Sequence, residues 1–142
     1  MRSKLVNEHP RTYVVVFSTG DEVVSGITYF AIDNGLSAAG ITAIGAFNDV
    51  DLGYFDFTTK DYKRIPLREQ VEVLSLIGNI VLYDTKPKLH AHVVLGKVDG
   101  TAYGGHLMEA YVNPTLEVII TELPGYLHRE MDKSIGIPLI KL

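Results

Sequence analysis

The sequence contains no cysteine, which excludes disulfides, thiolate zinc sites and cysteine nucleophiles. It also lacks an excess of basic charge: 13 Lys and Arg stand against 17 Asp and Glu, a formal net charge of −4. A strongly basic body that wraps nucleic acid by charge alone is thereby excluded, although a local basic patch is not. No apolar run is long enough to span a bilayer. Tyr13–Phe17 is too short, and Val71–Tyr83 is broken by Glu72, Ser75, Gly78 and Asn79. The opening residues MRSKLVNEHPRT hold no apolar stretch that could act as a signal peptide. A soluble, cytoplasmic protein with no membrane partner is expected. Gly20, Gly26 and the pair Gly104-Gly105 fit no phosphate-binding loop. No G-x-S-x-G setting surrounds Ser18, Ser25 or Ser75, so a serine hydrolase has no support.

The 142 residues, 46% hydrophobic and 21% charged, have ordinary globular composition and the size of one domain spanning 1–142. A chain of this length buries roughly two-thirds of its surface, so its core needs no covalent staples. No repeat, low-complexity segment or linker divides it. Tyr13–Phe17 is β-branched and apolar and reads as a strand buried on both faces. Thr19 and Glu22 fit a capping box, and Val23, Val24, Ile27, Phe30 and Ala31 follow at helical spacing until Gly35. A short helical turn is expected at Ser37–Ala39. From Ile41 the pattern is β: Ile41–Phe47, a turn at Asn48-Asp49, then Leu52–Phe57, Tyr62–Ile65 and Gln70–Ile77. In the last of these Val71 and Val73 share one face, while Glu72, Leu74 and Leu76 share the other. Gly78-Asn79 reads as a break. Leu89–Leu95 and Thr101–Val112 flank the hairpin signal Asp99-Gly100, and Leu116–Glu122 is the last clear strand before an ambiguous tail. One helix with six to eight strands is an α+β chain, mostly antiparallel.

His90-Ala91-His92 is the most informative tripeptide. On a strand, residues two apart share a face about 6.6 Å apart, so both imidazoles can reach one ion. His106, in Gly104-Gly105-His106-Leu107, lies on the next strand, and its orientation depends on the hairpin. A two-residue loop pairs Val98 with Thr101 and turns His106 away. A three-residue loop with Gly100 left-handed pairs Lys97 with Thr101 and sets His92 opposite His106. A bulge at Gly104-Gly105 gives the same result. The alternative to a site is three surface histidines with no common target. Three neutral imidazoles suit Zn²⁺, and also Ni²⁺, Co²⁺ or Fe²⁺, with a position left open for water or a ligand.

Other candidates carry less. His9 and His128 lie in segments without a clear element. Glu72 is a general base, a partner orienting a metal-bound histidine, or a surface carboxylate at a strand edge. Lys60, Lys63, Arg64 and Arg68, with Tyr62 among them, form a mildly basic stretch diluted by Asp61 and Glu69.

Five segments occur in the order typical of one family. They are Gly53-Tyr54-Phe55-Asp56 with Lys60-Asp61-Tyr62-Lys63; Glu72 through Ile80; His90-Ala91-His92-Val93; Gly104-Gly105-His106-Leu107; and Thr115-Leu116-Glu117-Val118. Over about Arg11 to Leu123 the chain resembles the PPC domain (plant and prokaryote conserved), in its prokaryotic single-domain type. The resemblance implies a curved antiparallel sheet with one main helix, assembled as a homotrimer. A single helix also cannot hide the apolar faces of so many strands. The basic R-G-R-P segment that precedes the plant domain and enters the minor groove has no counterpart in the sequence. Plant members use the strand matching Val71, Glu72, Val73 and Leu74 in protein partnering, so those residues are candidates for a subunit interface. In the prokaryotic branch the H-x-H and G-G-H-L segments are similar to a metal site, here His90, His92 and His106. The leading expectation is a trimeric domain binding a divalent metal, zinc first, with a regulatory or ligand-sensing role. A metal-dependent enzyme acting on a small molecule is one alternative. A DNA-associated protein acting through a partner is the other.

Overall fold

The computed structural model describes residues Met1 to Leu142 as one helix and nine strands. The strands are β1 (Arg2–Glu8), β2 (Arg11–Ser18), β3 (Ala38–Asp56), β4 (Asp61–Leu67), β5 (Val71–Tyr83), β6 (Lys86–Gly96), β7 (Ala102–Glu122), β8 (His128–Asp132) and β9 (Ile137–Lys141), and the helix α1 (Val23–Asp33) follows β2. All strand pairs are antiparallel except a short parallel contact between β5 and β8 at Leu82 and His128. The chain is therefore α+β, with one helix against a mostly antiparallel sheet. No helix is long and apolar enough to cross a membrane.

Alternation in β2 buries Tyr13, Val15 and Phe17, while Val14 and Val16, on the other face, stay half-buried. The expectation of a strand buried on both faces thus holds on one side. The helix begins three residues later than the capping box suggests. Glu22 is its N-cap, and the carboxylate accepts from the backbone N–H of Val24 at 2.9 Å and of Ser25 at 2.6 Å. Thr19 instead turns its hydroxyl to the Pro114 carbonyl, 3.3 Å away. Val23, Ile27, Phe30 and Ala31 are buried, and Asn34 closes the last turn before Gly35 at φ 61°. Ser37–Ala39 forms no helical turn: Ala38 and Ala39 already lie in β3, both fully buried.

Three interruptions of the expected strand pattern lie inside continuous strands. Asn48-Asp49 is an irregularity between Phe47 and Asp49 in the pairing of β3 with β7. Gly78-Asn79 lies inside β5, and Pro114 lies inside β7, which joins the two strands read from sequence. Bulges insert residues that disturb the alternation without ending the strand. The bulge between Val73 and Ser75 likewise separates Leu74, exposed, from Leu76, buried. The ambiguous tail forms the hairpin β8–β9, and the N-terminal residues form β1.

β3 pairs with both β5 and β7, β5 with β6, and β6 with β7, so these four strands close a circuit around the core. The largest fully buried side chains include Phe17, Phe47, Leu52, Leu76, Leu95 and Leu116. The outer surface of the sheet leaves Ile44, Leu74, Ile77 and Ile119 exposed around one shallow depression.

On β3, Asp51 is the one buried carboxylate. It accepts from Arg64 Nη1 at 2.8 Å and from Arg68 Nη2 at 2.5 Å, while Arg68 also reaches Asp49 at 2.9 Å. Arg68 and then Arg64 hold its pKa below the ordinary carboxylate value, against the opposing effect of burial. The ionised form is favoured by folding, so its contribution is complete above the unfolded value near pH 3.9 and is lost as pH falls through the lower folded value. Asp51→Asn is expected to cost about 1–3 kcal/mol at neutral pH, the range for removing a charged partner of a buried hydrogen bond. Urea unfolding of both proteins should show this gap at pH 7 and show it closing in strong acid.

Candidate metal centre

His90 and His92 alternate on β6 with Ala91 between them, and Ala91 alone of the three points into the core. His106 sits on β7 directly across from His92. The hairpin fixes this register. Lys97 N–H donates to the Thr101 carbonyl at 2.9 Å, Gly100 N–H donates to the Lys97 carbonyl at 2.9 Å, and Gly100 is left-handed at φ 81°. The loop is the three-residue form, and all three imidazoles share a face.

The three rings converge. His90 Nε2 and His92 Nε2 are 3.3 Å apart, and the ring centroids are separated by 5.2, 5.2 and 5.6 Å. One nitrogen from each ring lies within 4.8 Å of the others, and no other His, Asp or Glu cluster in the chain meets this condition. Across the strand, His106 pairs with Gly53 of β3. A Cβ on Gly53 would meet Tyr62 Cδ1 at 2.7 Å; its absence lets Tyr62 stack on His106, with centroids 4.9 Å apart and planes at 29°.

His106 Nδ1 is buried with no hydrogen-bond partner, a costly state for a polar nitrogen. Burial first, then the neighbouring His90 and His92, push its pKa down to about 4. Burial, then Arg129, His92 and Lys88, lower that of His90. Depressed values keep these imidazoles neutral at pH 7, which is their ligating form. Three convergent imidazoles and an orphaned nitrogen fit a divalent ion of the zinc type, and no carboxylate joins them.

The remaining sequence candidates lie elsewhere. His9 is in the β1–β2 turn, and His128 is exposed and reaches Glu130 at 3.2 Å. Glu72 pairs with Gly96 near the hairpin end of β6 and is exposed, which is the surface carboxylate of the three readings. Val71 and Val73 face the core, so only Glu72 and Leu74 of that segment are presented outward. Arg64 and Arg68 of the basic stretch are engaged by Asp49 and Asp51.

Three residues beside the triad went unread in the sequence. Tyr62 looked like part of a solvated face. Lys88 stands two residues before His90, so strand alternation could have placed it on the triad's face. Arg129 comes from the tail and had no local signal. Its Nη2 donates to Asn79 Oδ1 at 2.5 Å and its Nη1 to the Pro138 carbonyl at 3.2 Å.

The profile of the Plants and Prokaryotes Conserved (PCC) domain matches residues 6–124. A metal-containing protein from Archaeoglobus fulgidus is 37% identical, with 97% of this chain and 95% of that one covered and a TM-score of 0.85. A plant- and prokaryote-conserved (PPC) protein from Pyrococcus horikoshii is 35% identical over 99% and 96% of the two chains, with a TM-score of 0.87. A protein from Bacteroides thetaiotaomicron, provisionally named as DNA-binding, is 28% identical over 92% and 91%, with a TM-score of 0.88. No curated protein matches at a significant level.

Proposed function

Since the chain belongs to the Plants and Prokaryotes Conserved domain family, we propose that it is a divalent-metal-binding domain of regulatory or ligand-sensing role, with His90, His92 and His106 as ligands and zinc as the preferred ion. The observation that carries this is the convergence of three ring nitrogens to within 4.8 Å on one face of a hairpin. The 37% identical relative from Archaeoglobus fulgidus is described as metal-containing, which supports the same reading here. A bound ion would supply Lewis acidity and an open coordination position. The chain's own contribution is to hold His90 and His106 neutral, to fix His106 beneath Tyr62 and to flank the site with Lys88 and Arg129. Protein purified without a histidine tag or nickel column, loaded with zinc and desalted, should retain close to one ion per chain. Retention of none would overturn the assignment.

The exposed apolar surface supports an assembly of several chains. Ile44, Leu74, Ile77 and Ile119 form an uncovered apolar patch on the sheet, the kind of surface that marks an interaction site. The family resemblance suggests a homotrimer, with Glu72 and Leu74 at or near the subunit contact. Light scattering at micromolar concentration should give a mass of three chains rather than of one 15.7 kDa chain.

DNA is expected to be a weak partner or none. Arg64 and Arg68 are neutralised by Asp49 and Asp51, and a trimer would carry −12, three times the −4 of one chain. Phosphates should be repelled at long range. A gel-shift titration at physiological salt should show no sequence-specific binding tighter than micromolar, the level of ordinary non-specific affinity.

A further inference from the structure

A small cleft of about 110 Å³ opens beside His90 and His106. Two cations line it, Lys88 and Arg129. Arg129 is only 6% exposed, and none of the chain's ion pairs includes it. Its Nε is buried with no hydrogen-bond partner, although Asn79 and Pro138 occupy the two Nη atoms. Burial alone pushes its pKa below the ordinary value, as expected of a cation without a counter-charge. Buried charges in folded proteins are normally paired. The unpaired guanidinium therefore lacks an anion, and the chain supplies none.

The rest of the cleft says which kind. Leu89, Ile137 and Pro138 give it apolar walls, and the Tyr62 ring closes one side. A bare inorganic anion would leave those walls without contacts, whereas a carbon skeleton would fill them. Since a water molecule takes about 30 Å³ in the liquid, the volume suits a ligand of only a few non-hydrogen atoms. We propose that this cleft binds a small organic carboxylate, a 2-oxo or 2-hydroxy acid of about three carbons, with its carboxylate on the Arg129 guanidinium and Lys88 and its second oxygen toward the triad. The inference deepens the metal-binding reading, because the second oxygen would face the open coordination position, but the cation pair belongs to the protein itself.

Isothermal titration with pyruvate tests it, on zinc-loaded and on metal-free protein. Zinc-loaded wild type should bind pyruvate saturably, and should bind neutral lactamide and inorganic phosphate at least tenfold more weakly. Arg129→Gln, compared with wild type at equal zinc content, should lower pyruvate affinity about tenfold or more, the equivalent of one charged hydrogen bond. Since Arg129 also bridges Asn79 and Pro138, Lys88→Gln on the exposed strand position is the second variant, expected to weaken pyruvate at least threefold without touching the fold. Phosphate or lactamide binding as tightly as pyruvate would overturn the proposal, as would affinity unchanged in both variants or no pyruvate binding to zinc-replete protein. If the protein takes up no zinc, the metal reading fails by itself. Metal-free protein then decides the cleft: weak pyruvate binding that is lost in Arg129→Gln supports it, and none overturns it.

Discussion

His106→Ala is expected to empty the metal site while leaving the fold standing. The variant keeps His90 and His92, whose Nε2 atoms lie 3.3 Å apart on one strand, but removes the ligand that reaches across from β7. Losing a residue that merely orients a ligand costs roughly 10–100-fold in affinity, so losing a ligand should cost more than about 100-fold. The side chain contributes little to the unliganded core. Its Nδ1 is an unsatisfied buried polar atom, and its stack on the Tyr62 ring is worth about 0.5–1.5 kcal/mol. Zinc should therefore raise the melting temperature of the wild type, since it binds only the folded chain, and should leave that of His106→Ala unmoved. His92→Ala should behave alike. Unchanged metal content in either variant, measured after dialysis, would contradict the site.

Gly78→Ala is expected to damage stability and site together. A Cβ at Gly78 would stand 2.4 Å from the His90 carbonyl oxygen and 2.8 Å from the Ala91 Cα. Both are backbone atoms of the strand that carries the H-x-H pair, so no side-chain rotation relieves the contact. Either β5 or β6 must move. Overpacking of this kind costs about 1–3 kcal/mol, and the involvement of backbone points to the upper end. The displaced strand would carry His90 away from His106, so metal affinity should fall alongside the urea midpoint. Gly40→Ala is the control: no atom lies within 4 Å of its virtual Cβ, and it should leave metal binding intact.

The sequence was most informative where chemistry and periodicity coincide. The H-x-H spacing places two rings on one face whatever the surroundings, and Asp99-Gly100 marks a hairpin. What it left open was the loop length, because the backbone hydrogen bonds of Lys97 and Gly100 decide that, and they form only once the strands pair. Gly78-Asn79 and Asn48-Asp49 look like breaks in a local window, since glycine and asparagine favour turns. In the fold they allow long strands to approach closely or bend, a tertiary demand invisible in a local window. Arg129 was the least legible. Nothing around it in the tail signals a role, and its place beside the triad depends on Asn79, fifty residues earlier in the chain. Val71 to Leu74 show a related limit: alternation separates inward from outward residues, but the bulge after Val73 reverses the phase for those that follow.

The stacking of Tyr62 on His106 gives the molecule an optical handle. The chain has eight tyrosines and no tryptophan, so tyrosine emission is not drained into an indole. Among the tyrosines, only Tyr62 lies against a triad ring. Its excited state is therefore coupled to whatever occupies the histidines, while the other seven supply a steady background. A paramagnetic ion such as Co²⁺ would dim that single contribution and a closed-shell ion such as Zn²⁺ would not, so the unlabelled protein distinguishes the two by the light it emits.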